Sequence, residues 1–180
     1  STMGPEIHRR HRHPAAAAAG RLTDMTPLEL ARLLASDSPA EAALGLASVN
    51  ALLSPPQGPV SEENAAALLQ RRGAGRRVAV VGGFPFTDRL APHCRELWVF
   101  DRRRELHPDA LGEAEMAELM PRAEVVAVTA TTLLNGTLDT VLDLVDPEAF
   151  TMMLGPTTPL SPVLFAHGFD VLCGTVVEDP

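Results

Sequence analysis

Two hydrophobic periodicities alternate along this chain. From Arg77 onward, short unbroken apolar runs at 77–81, 97–100, 125–129, 150–154 and 171–177 read as strands. A continuous run, rather than an alternating one, is the pattern of a strand covered on both faces. Between the runs, apolar residues recur at helical spacing. The segment 137–145 carries Leu138, Val141, Leu142 and Val145 on one face, and 85–93, 113–120 and a short piece from Ser161 or Pro162 to His167 read as further helices. Strands alternating with helices predict an α/β fold: a Rossmann-like parallel sheet of about five strands, flanking helices and right-handed crossovers.

The first third of the chain has no strand pattern of that kind. Residues 22–34 predict a helix, with Thr26 as N-cap, Pro27 at the first helical position and Glu29 completing a capping box. Pro39 starts another helix, whose Ala43, Leu46, Ala47, Asn50 and Ala51 are small or apolar and whose Gly45 and Ala47 allow close packing. Asn50 is either a site residue or a satisfied polar group near a helix end. Ser54-Pro55-Pro56-Gln57-Gly58-Pro59 blocks both helix and central strand. It divides the chain into a helical segment, 1–58, and an α/β unit, 59–180. Ser61 then predicts the cap of a helix reaching Leu69, ended by Arg71-Arg72-Gly73-Ala74-Gly75.

In an open parallel sheet, ligands bind beyond the carboxyl ends of the strands. This rule groups three loops: 82–86, 129–136 and 155–162, with Asp101 closing the second strand beside them. The candidate ligand-binding residues are Gly82, Gly83, Phe84, Asp101, Thr131, Thr132, Asn135, Gly155, Thr157, Thr158 and Ser161. Gly82 and Gly83 permit a tight turn, and Pro85 suits the first turn of a helix whose positive end would face an anion. Asp101 follows Gly82 at about the 20-residue spacing of a dinucleotide fold's ribose-binding acid. The loop is not G-x-G-x-x-G, however: Phe84 adds bulk and Pro85 removes a donor where a pyrophosphate would approach bare backbone. Each candidate also has a plain structural role. Asp101 would pair with a nearby arginine, Asn135 would make a turn, and Ser161 would cap the following helix.

Composition narrows the chemistry. All 15 basic residues are arginine and there is no tyrosine, so a lysine Schiff base, a lysine-bearing P-loop and a tyrosine acid are excluded within these residues. The net charge of −8 argues against a nucleic-acid partner, although Arg9, Arg10, Arg12 and Arg21 make the start basic. Two cysteines, Cys94 and Cys173, make neither a disulfide framework nor a zinc ribbon. His93 with Cys94 offers two metal ligands at most. His8, His11 and His13 are imidazoles among repelling arginines, and Glu178 and Asp179 follow the last strand toward the cleft. No membrane span and no secretory signal is visible, so the expectation is a soluble, cytoplasmic and, from the lysine-free, alanine-rich usage, bacterial protein.

Four segments in order resemble a known family. They are Val80-Val81-Gly82-Gly83-Phe84-Pro85-Phe86, the stretch 127–137, the stretch 154–162, and Asp170-Val171-Leu172-Cys173-Gly174-Thr175-Val176-Val177, with 43–53 resembling its inter-domain helix. The family is the heavy-metal-chelation domain, Rossmann-like and usually preceded by a small domain resembling the enolase N-terminal domain. The resemblance implies a cleft between two domains lined by the loops at 82–86, 131–135 and 155–161. It also implies small-domain strands that here are absent or reduced to Ser1-Thr2-Met3, and a continuation past the fifth strand, so the expectation is that the chain is a fragment or that residues are missing from it. The function expected is binding of a metal ion or metal chelate as a small ligand. The alternatives are an enzyme acting on a small anionic metabolite, with or without a nucleotide cofactor and with Asp101 or His167 as its titratable group, and a non-catalytic assembly module. A homo-oligomer, in the simplest case a dimer, is the expected assembly.

Overall fold

The computed structural model describes residue 16 and residues 19–54, 56, 60–103 and 107–176. The histidines of the basic arm, Ser1-Thr2-Met3, Glu178 and Asp179 lie outside the described residues, as do Pro55 and residues 57–59 of the predicted linker.

Five parallel strands form one sheet: β1 (Arg77–Val81), β2 (Glu96–Phe100), β3 (Val125–Thr129), β4 (Phe150–Leu154) and β5 (Val171–Cys173). Their order is β2-β1-β3-β4-β5. The unbroken apolar runs follow from this placement, because side chains alternate across the sheet and both faces are covered. Ala79, Val81, Trp98, Phe100, Val126, Val128 and Met153 face one core. Val78, Val80, Val125, Ala127, Met152 and Leu154 face the other. Val78, Val80, Val125 and Val126 are fully buried, each contributing about 1.5–3 kcal/mol over an exposed valine.

Helices cover each face. The first core is closed by α5 (Glu113–Leu119) and α6 (Leu138–Leu142), through Met116, Leu119, Leu138 and Leu142. The second is closed by α3 (Ala65–Gly73) and the single turn of α4 (Thr87–Leu90), through Leu68, Leu69 and Leu90. Asn64, rather than Ser61, caps α3: its side chain accepts from the Ala66 amide at 2.9 Å, while Ser61 Oγ accepts from the Glu63 amide one turn earlier. The glycine loop also differs from expectation. Pro85 sits in a turn and the helix starts only at Thr87, because Phe84 and Phe86 stack on each other with centroids 5.2 Å apart and pack into the second core. The last strand stops at Cys173, short of the predicted 177.

Ahead of the sheet lie α1 (Pro27–Arg32) and α2 (Pro39–Leu52). The predicted helix over 22–34 is broken into a turn at Leu22–Asp24, then α1, then a 3-10 turn at Leu33–Ala35. Thr26 and Pro27 restart it: Thr26 Oγ1 accepts from the Glu29 amide at 3.3 Å and the Glu29 carboxylate accepts from the Thr26 amide at 2.8 Å. Ala42, Gly45 and Leu46 are the buried residues of α2, whereas Ala47 is exposed. A Cβ on Gly45 would collide with the backbone of Leu33 and Leu34, so the two segments touch backbone to backbone there. Gly45→Ala should therefore destabilise the helical segment by about 1–3 kcal/mol, the cost of overpacking a closed contact. Chemical denaturation with a probe of that segment checks it, and an unchanged midpoint would mean that the contact is loose.

Candidate functional site

The chain reverses direction across the sheet between β1 and β3. It moves outward from β1 to β2, then returns to β3 on the other side and continues through β4 and β5. The carboxyl ends lie level, with Val81 beside Phe100 and Val128, and Thr129 beside Leu154, which in turn pairs with Cys173. The three predicted loops therefore converge on one edge, with the switch point between Gly82 and Thr129. Gly82 has φ +106°, and a Cβ there would lie 2.8 Å from Thr129 Cγ2. Glycine is needed for both reasons. A Cβ on Gly155, φ +133°, would lie 3.8 Å from the Ala130 Cβ, which brings the third loop beside the second.

Polar accounting separates the candidates. The Gly83 N–H donates to Asp101 Oδ2 at 2.6 Å, and Arg103 donates its backbone N–H to Oδ1 at 2.8 Å and its guanidinium to both oxygens at 3.2 and 3.1 Å. Asp101 is only 8% exposed. Burial works to raise its carboxyl pKa, but the Arg103 bonds and charge, with the Gly83 amide, outweigh that, so it lies below the ordinary carboxylate value. Both oxygens accept bonds from the protein, and the glycine loop's second amide points at a carboxylate of the chain. His107 completes this group. Its Nε2 is 3.8 Å from Asp101 Oδ2, and its ring occupies the space where a Cβ on Gly83 would stand. Sequence reading missed His107. The signal available was its position in a loop leaving the carboxyl end of a strand, where functional residues concentrate.

In the β3 loop, Thr132 is 2% exposed and its hydroxyl donates to the Thr129 carbonyl at 2.7 Å. Thr131 and Thr129 share a hydroxyl contact at 3.1 Å. Asn135 is exposed and its Oδ1 accepts from the Thr137 amide and hydroxyl, which makes a local turn. In the β4 loop, Ser161 Oγ accepts from the Val163 amide and caps the short helix Pro162–His167. Thr157 and Thr158 differ from these. Thr158 is 3% exposed, and the hydroxyls of Thr157 and Thr158 are shielded from solvent without a hydrogen-bond partner among the described residues. Asn50 of α2 reaches this loop: its Nδ2 donates to the Thr157 carbonyl at 3.0 Å, while its Oδ1 is shielded and unpartnered in the same way. A polar atom buried without a partner costs about 1–3 kcal/mol, so the chain by itself leaves these three atoms in an unfavourable setting.

Other candidates lie elsewhere. His93 and Cys94 precede β2, at the amino edge, and the Cys94 thiol donates to the Leu90 carbonyl at 3.4 Å, its pKa raised by burial. His167 is exposed at the end of the helix that returns to the amino edge, so it does not meet Asp101. Cys173 ends β5 at the carboxyl edge, its thiol pKa raised by burial and by the charge of Glu63. A depression of about 450 Å³, lined by Phe150, Phe165, Phe169 and Asp170 among others, belongs to the amino side. Among the described residues no group of three or more His, Cys, Asp or Glu is placed to hold a metal ion, and no helix is long and apolar enough to cross a membrane.

The model of the DUF364 family, described as "Putative heavy-metal chelation", matches residues 64–180. The chain belongs to this family. An uncharacterized protein of Methanocaldococcus jannaschii is 34% identical over 112 residues, covering 61% of this chain and 43% of the relative. The DUF364 chain thus spans less than half the length of that curated relative. A crystal structure of a DUF364 protein of unknown function from Desulfitobacterium hafniense matches with a TM-score of 0.71 and 29% identity, covering 86% of this chain and 64% of that one. A second, from Pyrococcus horikoshii, gives a TM-score of 0.73 at 24% identity over 98% of this chain and 70% of that one, a likeness of fold. The family resemblance read from the four segments is therefore established.

The lowered Asp101 pKa fixes the sign of a pH effect. A carboxyl whose folded value lies below its unfolded value of about 4 contributes stability above that pH and loses it as pH falls through the folded value. Asp101→Asn should lower unfolding stability by about 1–3 kcal/mol at pH 7, and the gap from wild type should narrow below about pH 4. Urea unfolding at pH 7 and pH 3 measures this. An equal gap at both values would mean that the charge of Asp101 contributes nothing.

Proposed function

We propose that this DUF364 chain binds a small organic acid, free or as its metal chelate, at the carboxyl edge of the sheet, where the glycine loop, the Thr129–Thr132 turn and the β4 loop meet. The observation that carries the reading is the chain reversal between β1 and β3, which brings these loops to one switch point. The donors these loops leave open are the Thr157 and Thr158 hydroxyls, buried and unpartnered among the described residues. Neutral donors of this kind recognise carboxylate oxygens, while soft heavy metals prefer thiolates and imidazoles. In this reading the metal enters as cargo, carried by the acid that chelates it. Gly82, Gly83, Phe84 and Asp101 shape one wall, Thr131, Thr132 and Asn135 the next, and Gly155, Thr157, Thr158 and Ser161 the third. Asp101 acts by fixing Gly83 and Arg103.

The helical segment 1–58 is proposed as part of a small domain that closes the cleft, in keeping with Asn50 bonding the β4 loop. The net charge of −8 supports a small-molecule rather than a nucleic-acid partner. A cytoplasmic location and a homo-oligomeric assembly complete the proposal. Native mass spectrometry of freshly purified full-length protein, with elemental analysis of the same sample, tests it. The expected result is an organic mass released on denaturation, with any metal leaving alongside it. Stoichiometric metal retained after removal of every organic acid would overturn the chelate reading in favour of a bare ion.

A further inference from the structure

We infer that Asn50, Thr157 and Thr158 form the polar end of a ligand site that takes a carboxylate flanked by a hydroxyl or amino group, with the last turn of α2 closing over it. The inference rests on the reading that an organic acid binds at the carboxyl edge and names the chemistry of that acid.

Three buried polar atoms without partners lie on two segments that touch: Asn50 Oδ1 on α2, and Thr157 Oγ1 and Thr158 Oγ1 on the β4 loop. They come from two segments 107 positions apart in sequence, joined by the bond from Asn50 Nδ2 to the Thr157 carbonyl at 3.0 Å. That bond fixes which end of the Asn50 amide is which. Its nitrogen donates to a carbonyl, so the unpartnered atom is an acceptor and requires a donor from its guest. The two threonine hydroxyls are free to donate, and a hydroxyl donor suits a carboxylate oxygen. A guest that satisfies all three therefore presents a carboxylate and, close beside it, an O–H or N–H. A 2-hydroxy or 2-amino acid has that form, and the same groups chelate metals.

The loop is held ready for such a guest. The Thr158 amide donates to the Gly155 carbonyl at 3.1 Å, closing a turn, and the Gly155 amide donates to the Cys173 carbonyl at 3.2 Å. A Cβ on Gly174 would stand 2.8 Å from the Thr158 carbonyl, so the backbone just after β5 lies close against the turn. Pro156, Pro159 and Pro162 restrict the loop further. The turn does not need to reorganise around a ligand. Access comes instead from parting the Asn50–Thr157 bond as α2 lifts. The other strong polar cluster, at Asp101, differs because its acceptors are already matched by Gly83 and Arg103.

The test uses the full chain and two isosteric variants, Thr158→Val and Thr157→Val, with L-malate, L-aspartate and succinate as probes. Succinate is L-malate without the hydroxyl. Calorimetric titration should show wild type binding L-malate or L-aspartate at least tenfold more tightly than succinate, and Thr158→Val should lose at least tenfold of that affinity. Without ligand, Thr158→Val should unfold at the same temperature as wild type or higher, since it removes a buried group with no partner. Thr157→Val provides the same readout if Thr158→Val folds poorly. A lower unfolding temperature for both variants with unchanged acid binding would mean an ordered water only, and would overturn the inference while leaving acid binding at the edge intact. Equal affinity for succinate and L-malate would overturn the assigned chemistry alone. No binding of any acid to wild type would overturn the inference together with the reading beneath it.

Discussion

The pairing of β1 with β3 is the constraint on which the rest depends. Both strands are buried on both faces, so their backbone groups have only each other and their outer neighbours to bond. Once β1 and β3 lie side by side in parallel, β2 must take one flank and β4 with β5 the other. The reversal then leaves the two central carboxyl ends diverging into loops on opposite sides. Gly82 makes this junction tight enough to work: with φ +106° and Thr129 in contact, no larger residue fits.

The carboxyl edge shows two contrasting kinds of polar economy. Around Asp101 the groups are matched: the carboxylate accepts from Gly83 and Arg103, with His107 beside it. Such a cluster stiffens the glycine loop and holds a negative charge where a dinucleotide fold would offer free amides. Around Thr157 and Thr158 the hydroxyls are unmatched and hidden, and Asn50, from a distant part of the chain, bonds the loop that carries them. The two lie on either side of the Thr129–Thr132 turn, whose hydroxyls bond within the turn itself.

The strands were legible in the sequence because burial on two faces writes an unbroken apolar run, as at Val78–Val81 and Val125–Val128. The capping box at Thr26 and Glu29 was equally legible, since its chemistry is local. What escaped was set by contacts distant in sequence. Pro85 looked like a helix start, but the Phe84–Phe86 stack placed it in a turn. Ser61 looked like a cap until Asn64, nearer the apolar face, took the role. The sheet order, the ring of His107 over Gly83 and the reach of Asn50 to Thr157 are tertiary facts with no local spacing to announce them. The candidate loops could be named from the rule that ligands meet parallel sheets at carboxyl ends, but which hydroxyls are already engaged depends on how each loop folds back on itself.

The central claim is that ligand chemistry gathers at the carboxyl edge of the sheet. The most direct measurement is amide chemical-shift mapping by NMR during titration of the full-length protein with zinc citrate. The account predicts shifts concentrated at Gly82, Gly83, Thr131, Thr132, Thr157 and Thr158, with Asn50 responding from α2. Shifts confined to the amino edge, around His93, Cys94 and Asp170, would contradict it.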